Sequence, residues 1–176
     1  IESLAGQFRS AFDQLDILVN NASRFYPTHV GETKTWQWDD LVNSNLRGPY
    51  FLVQALLPEL KRRGGSVINI VAIYARRPLP DHVVYCVSKA GLEMMTKAMA
   101  AELGPAIRVN GVSPGAILWP ENDDNEAARQ AVLDRTVMKR IGEASDIADA
   151  VAYSALDAPY VTGQILAVDG GRSLNM

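Results

Sequence analysis

What this sequence has little of narrows its possibilities first. Its one cysteine, Cys86, excludes an internal disulfide and suits a reducing compartment. Two histidines, His29 and His82, cannot build an ordinary zinc site with that single thiol. No uninterrupted apolar run approaches the roughly 18 residues that span a bilayer. Basic residues are neither numerous nor grouped: 17 Lys and Arg against 20 Asp and Glu leave a net charge of -3, and the longest cluster is Lys61-Arg62-Arg63. The basic face that nucleic-acid binding requires is therefore not expected. There is no presequence of the export type, so the expected location is the cytoplasm. The sequence opens at Ile1, without an initiator Met, inside a helical pattern.

What is present is a regular alternation of helix and strand. Leu4, Phe8, Phe12 and Leu15 recur at helical spacing, which predicts a helix over 2–15. Apolar runs at 16–20, 66–71, 107–112 and 164–168 read as buried strands. Between them, helical patterns cover 36–63, 82–103, 126–137 and 146–155, with Ser145 as the expected N-cap of the last. Pro49 and Pro58 should kink or divide the longest of these. Ser113-Pro114-Gly115 should break the third strand, and residues 119–125 should form a polar loop. Alternation without repeats implies an α/β fold: a parallel sheet covered by helices on both faces, three layers, in one domain.

In open parallel sheets, ligands sit beyond the carboxyl ends of the strands. The residues placed there are Asn20-Asn21-Ala22-Ser23 with Phe25, Ala72 to Tyr74, Ser113 to Ala116, and Asp169-Gly170-Gly171. The sharper constellation is Tyr85-Cys86-Val87-Ser88-Lys89. Side chains four apart share a helix face, so the Tyr85 phenol and Lys89 ammonium can enter one pocket. Bringing a phenol from about 10 to near neutral takes about 4 kcal/mol of preference for the phenolate, which an adjacent ammonium and a cationic ring could supply. A phenol so tuned is a usable general acid for reduction. Taken alone, Tyr-x-x-x-Lys also fits an ordinary solvated helix face.

The order of motifs adds to this. Asn20-Asn21-Ala22-Ser23, Asn45 in Ser44-Asn45-Leu46-Arg47-Gly48, Tyr85 with Lys89, Arg108 to Gly115, and Val168-Asp169-Gly170-Gly171 resemble the short-chain dehydrogenase/reductase family over nearly the whole length. More narrowly, Asn21 to Thr28 and Pro114 to Pro120 resemble the pteridine reductase branch. The resemblance implies a Rossmann-like fold, NADPH as cofactor, a pterin or folate substrate, and assembly into dimers or tetramers through the helices at 36–63 and 82–103. By position, Tyr85 would be the proton donor. Lys89 would hold the nicotinamide ribose and lower the phenol's pKa, and Asn45 would anchor a water linking Lys89 to solvent. Asn21, Ala22 and Ser23 would line the cofactor, with Pro114, Gly115 and Ile117 at its nicotinamide end. Phe25 would sandwich the pterin ring against the nicotinamide. No metal is implied.

Two departures qualify the resemblance. Where the family carries Ser, or the pteridine branch Asp, thirteen residues before the Tyr, this chain has Ala72, whose methyl makes no hydrogen bond. Tyr74, two residues on, carries a hydroxyl. The Gly-rich phosphate loop of the family's first strand-to-helix turn is also missing. The expectation is a truncated single domain, with weak NADPH binding and the 16–20 strand left as an edge. Two other readings stay open: a short-chain reductase acting on a ketone or an acyl carrier, and a non-catalytic assembly module. Cys86, Trp36, Trp38 and Trp119, His29 and His82, Asp123-Asp124, Arg47 and the Arg76-Arg77 pair are expected to serve packing or solubility, with no partner foreseen for either histidine.

Overall fold

The computed structural model describes residues 1–118 and 125–175. Four strands, β1 (Ile17–Asn20), β2 (Ser66–Ile70), β3 (Arg108–Pro114) and β4 (Ile165–Val168), form one sheet in the order β1-β2-β3-β4. Every neighbouring pair is parallel, with Ile17 opposite Ser66, Ser66 opposite Arg108, and Gly111 opposite Ile165. The helices are α1 (Glu2–Ala11), α2 (Thr35–Val42), α3 (Gly48–Ala55), α4 (Leu57–Lys61), α5 (Val83–Leu103), α6 (Glu126–Arg135) and α7 (Ala144–Ala152). The expected α/β architecture is present, and the strand at the N-terminal end of the chain is an edge of the sheet.

Alternation along the strands sends successive side chains to opposite faces. Val67 and Val109 pack with Val53, Leu60, Ala100 and Ile107 beneath α3, α4 and α5. Ile68 and Val112 pack with Ala150 and Ala155 beneath α7 and the turn that follows it. The sheet is thus the middle of three layers. Among the described residues no helix is long and apolar enough to cross a membrane, and no group of three His, Cys, Asp or Glu is placed to hold a metal.

The differences from expectation have local causes. The long helix at 36–63 is divided: a π-helical turn at Asn43–Arg47 leads into α3, and Leu56 breaks the path just before Pro58, which sits in the first turn of α4. Both prolines thus occupy early helical positions, where a missing N–H costs little. The first helix ends at Ala11 rather than running to residue 15. Strand β3 runs through Ser113 to Pro114, because β4 continues to pair with it there. Ser145 is not the N-cap of α7. Glu143 takes that place in a capping box with Asp146, which accepts from the Glu143 amide at 2.8 Å. Of the loop expected at 119–125, residues 119–124, with Trp119 and Asp123-Asp124, lie outside the described residues, and Asn125 is the N-cap of α6.

Candidate active site

The loop after β1 is fastened to the start of α5, and this places the rim residues. Thr28 is buried, bridges in parallel to His82, and accepts from the Val84 amide through its hydroxyl at 3.3 Å. Phe25 is thereby held against α5, its ring edge-to-face with Tyr85 at 4.8 Å between centroids and stacked on the His82 imidazole at 4.7 Å. The spacing Phe25 to Tyr85 could not have revealed the His82 stack. The signal that could have done so is the position of His82, three residues before Tyr85 and so on the same side of the helix start. His29, for which no partner was foreseen, places Nδ1 3.0 Å from an Asp81 carboxylate oxygen.

Tyr85 is 8% exposed and Lys89 is 2% exposed, one turn apart on α5. Lys89 Nζ lies 5.8 Å from the centroid of the Tyr85 ring and donates to the Ile70 carbonyl, at the end of β2, at 2.9 Å. No carboxylate pairs with Lys89 among the described residues, and burial lowers its pKa to about 8. The Tyr85 phenol moves the other way. Burial first, then Tyr74 and Cys86, push it well above its ordinary value. The expected lowering by Lys89 is therefore absent in the chain alone, since the ammonium is turned to the Ile70 carbonyl and the phenol has lost hydration. Burial thus keeps the proton on the phenol at neutral pH, while the chain alone does not tune it toward neutrality.

Asn45 is fully buried in the π-helical turn, and its side chain is fully engaged. Its Nδ2 donates to the Arg24 carbonyl and to Ser88 Oγ, both at 3.0 Å. Its Oδ1 accepts from Ser23 Oγ at 3.0 Å and from the Arg24 amide at 2.8 Å. The Asn45 side-chain amide is thus spent on protein groups and ties the loop after β1 to α5. Replacing it with Ala strands four partners, and a loss of about 2–4 kcal/mol in unfolding free energy is expected from urea titration of Asn45→Ala.

A parallel lock lies beneath the rim. Asn20 donates to Asn69 at 2.8 Å, and Asn69 donates to Thr96 of α5 at 2.9 Å, so β1, β2 and α5 are joined by buried side chains. Of the expected cofactor residues, Asn21, Pro114 and Ile117 line one open apolar groove of about 760 Å³ beside β1 and α7. Ile70, whose carbonyl holds Lys89, lines it too. Ala22 and Ser23 are exposed at the same rim, and Gly115 lies so close to Asp169 that a Cβ there would meet its Cα at 2.7 Å.

Ala72 is buried in one cluster with Tyr85, Val84 and Leu41, against which Tyr74 packs. Arg76 is spoken for: it pairs with Glu93 of α5 at 2.8 Å, and Lys97 reaches the same carboxylate at 2.6 Å. Cys86 is half-buried and accepts from the Leu79 amide.

The chain is similar to known proteins over most of its length. A family model described as enoyl-(acyl carrier protein) reductase matches residues 1–173. The chain is 35% identical over 175 residues to the 3-oxoacyl-[acyl-carrier-protein] reductase FabG of Staphylococcus epidermidis, covering 97% of this chain and 72% of that protein. It is 37% identical over 164 residues to the FabG of Thermotoga maritima, covering 91% and 67%. Among solved structures, a gluconate 5-dehydrogenase from Burkholderia cenocepacia in complex with NADP and tartrate superposes with a TM-score of 0.93 at 28% identity, over 99% of this chain and 71% of that one. A short-chain dehydrogenase/reductase from Brucella melitensis gives 0.87 at 30% identity, over 97% and 69%.

Proposed function

This chain belongs to the short-chain dehydrogenase/reductase family of oxidoreductases, and from that premise we propose that it reduces a carbonyl group with a reduced nicotinamide nucleotide, NADPH, and that its substrate is a 3-oxoacyl thioester. The observation that carries the reading is the Tyr85–Lys89 pair, one helical turn apart and buried at the carboxyl rim of the sheet. The names of the FabG relatives support the thioester.

The residues present fit the nicotinamide-ribose end of the cofactor. Among the described residues Lys89 donates to one main-chain acceptor and has further N–H donors to spend, which suits a diol. Asn21, Pro114 and Ile117 form the groove beside it. None of the described strand-to-helix turns carries the Gly-rich phosphate motif, so the adenosine half has no evident holder among them. When bound, the cofactor supplies hydride. The chain's part is to hold the carbonyl oxygen near the Tyr85 hydroxyl, deliver that proton, and keep a positive charge close through Lys89. Phe25 and His82 stand as stacked rings at one side of Tyr85. We propose that the domain formed by these residues is located in the cytoplasm and pairs with a second copy through α3 and α5. The exposed Tyr50, Phe51 and Met94 on those helices support the pairing.

One observation favours a second reading, a pterin substrate of the dihydrobiopterin or dihydrofolate type. Phe25 is 56% exposed and sits edge-to-face with Tyr85, the kind of surface on which a flat heterocycle stacks. The two readings separate in one competition. Reduced nicotinamide mononucleotide, which lacks the adenosine half, serves as hydride donor with an acetoacetyl thioester and a dihydropterin at equal concentration. The expected product is the 3-hydroxyacyl thioester. Tetrahydropterin as the main product would replace the first reading with the second.

A further inference from the structure

The rim holds a second phenol whose surroundings the reading above leaves unexplained. Tyr74 sits in the short 3-10 turn just after β2, half-buried, packed on the cluster that contains Ala72 and Tyr85. Its hydroxyl oxygen accepts from Arg172 Nη2 at 3.4 Å, across 98 residues of chain. Arg172 lies in the tail after β4 and is 8% exposed, yet no carboxylate pairs with it among the described residues. The nearest candidate in sequence, Asp169, spends its carboxylate on the amides of Gly171 and Ser173, at 2.9 and 2.8 Å. Arg172 Nε is buried without a partner among the described residues. A buried unpaired guanidinium is costly, and a fold that keeps one usually uses it.

Hydrogen-bond capacity then gives a direction. A guanidinium only donates, so the Arg172 contact fills an acceptor position on the Tyr74 oxygen and leaves its one O–H to donate elsewhere. No acceptor for that hydrogen is found among the described residues. The nearby Ala72 methyl, at the position expected to carry a hydroxyl or carboxyl, can supply nothing. Tyr85 meanwhile must give up its proton to the substrate, and one donor cannot both transfer a proton and remain to hold the oxygen in place.

We propose that Tyr74 is a catalytic residue that holds the substrate's carbonyl oxygen, oriented by Arg172 as a positioning residue, in the role that Ala72 cannot fill. The inference rests on the carbonyl-reductase reading. As hydride from the reduced nicotinamide adds to the carbonyl carbon, the C=O π pair moves onto oxygen. That oxygen takes the Tyr85 proton, leaving the alcohol, the oxidised nicotinamide and a Tyr85 phenolate. Tyr74 keeps its own proton throughout and donates a hydrogen bond to the same oxygen. The Arg172 charge behind it favours the build-up of negative charge there.

The test compares the full chain with Tyr74→Phe, Ala72→Ser, the Tyr74→Phe/Ala72→Ser double variant and Arg172→Met. Each is assayed with reduced nicotinamide mononucleotide on whichever of a 3-oxoacyl thioester, a simple ketone or a dihydropterin the unmodified chain reduces. Tyr74→Phe should lower kcat by about 10–100-fold with little change in KM, and the added Ala72→Ser should recover most of it. Arg172→Met should lower kcat by less than Tyr74→Phe does. A purely structural tie between the tail and β2 would instead lower the melting temperature with kcat unchanged, or show no rescue by Ala72→Ser, and either outcome overturns the proposal. If the substrate reduced is not the thioester, the substrate reading alone is overturned. A chain that reduces none of the three overturns both.

Discussion

Tyr85→Phe should reduce the rate of carbonyl reduction by about 10²–10⁴-fold while leaving nucleotide binding nearly intact. The substitution removes one oxygen and keeps the ring, so the edge-to-face contact with Phe25 at 4.8 Å survives. The Tyr85 hydroxyl has no hydrogen-bond partner among the described residues, so its loss strands nothing inside the protein. Burial holds the phenol above its ordinary pKa, so it is fully protonated wherever the assay is run at neutral pH. Stability and activity therefore part company in this variant. The check is initial-rate oxidation of a reduced nicotinamide alongside thermal unfolding. A Phe variant within about tenfold of the unmodified chain would remove Tyr85 from the chemistry.

Lys89→Met should make the protein more stable and nearly inactive. Lys89 is 2% exposed and donates to the Ile70 carbonyl with no carboxylate beside it among the described residues, so the fold bears the cost of desolvating the ammonium. The drop of its pKa from 10.5 to about 8 corresponds to about 3 kcal/mol as an upper bound. Met has similar length and no charge, and a gain of about 1–3 kcal/mol at pH 7 is expected from chemical denaturation. The pH dependence fixes the sign. Because the folded-state value lies below the unfolded one, the penalty is complete below pH about 8 and is relieved as pH rises toward about 10.5. The stability gap between variant and unmodified chain should therefore close across that window. The reduction rate of the unmodified chain should fall as pH rises through about 8, as Lys89 loses the charge it lends the site. A Met variant that is less stable at pH 7 would mean that Lys89 has a counter-charge.

Much of this architecture was legible in the residues because a buried parallel strand announces itself as a short apolar run. Val67, Ile68 and Ile70 of β2 are unambiguous, and so is the rim that follows each strand. Tyr85 and Lys89 were legible for a related reason, as a fixed spacing on one helix settles which side chains share a face. Contacts between distant segments were not. Nothing near Asn45 announces that its amide is consumed by Ser23, Arg24 and Ser88, because those partners meet only once the loop after β1, the π-helical turn and α5 come together. The same holds for Tyr74 and Arg172. The direction of the Tyr85 shift was missed because spacing says that a Lys is near, whereas the ammonium's actual partner, the Ile70 carbonyl, depends on where β2 ends. The start of α7 departs from expectation because Ser145 is a good cap in isolation, while Glu143 with Asp146 closes two amides at once.

The most direct test of the account follows the hydride itself. A reduced nicotinamide mononucleotide deuterated at the reactive carbon of its ring is incubated with this chain and an acetoacetyl thioester, and the product is weighed by mass spectrometry. The account predicts a 3-hydroxy thioester carrying one deuterium on the former carbonyl carbon, and almost none of it from the Tyr85→Phe variant. Unlabelled alcohol, or labelled alcohol formed equally well without the Tyr85 oxygen, would contradict it.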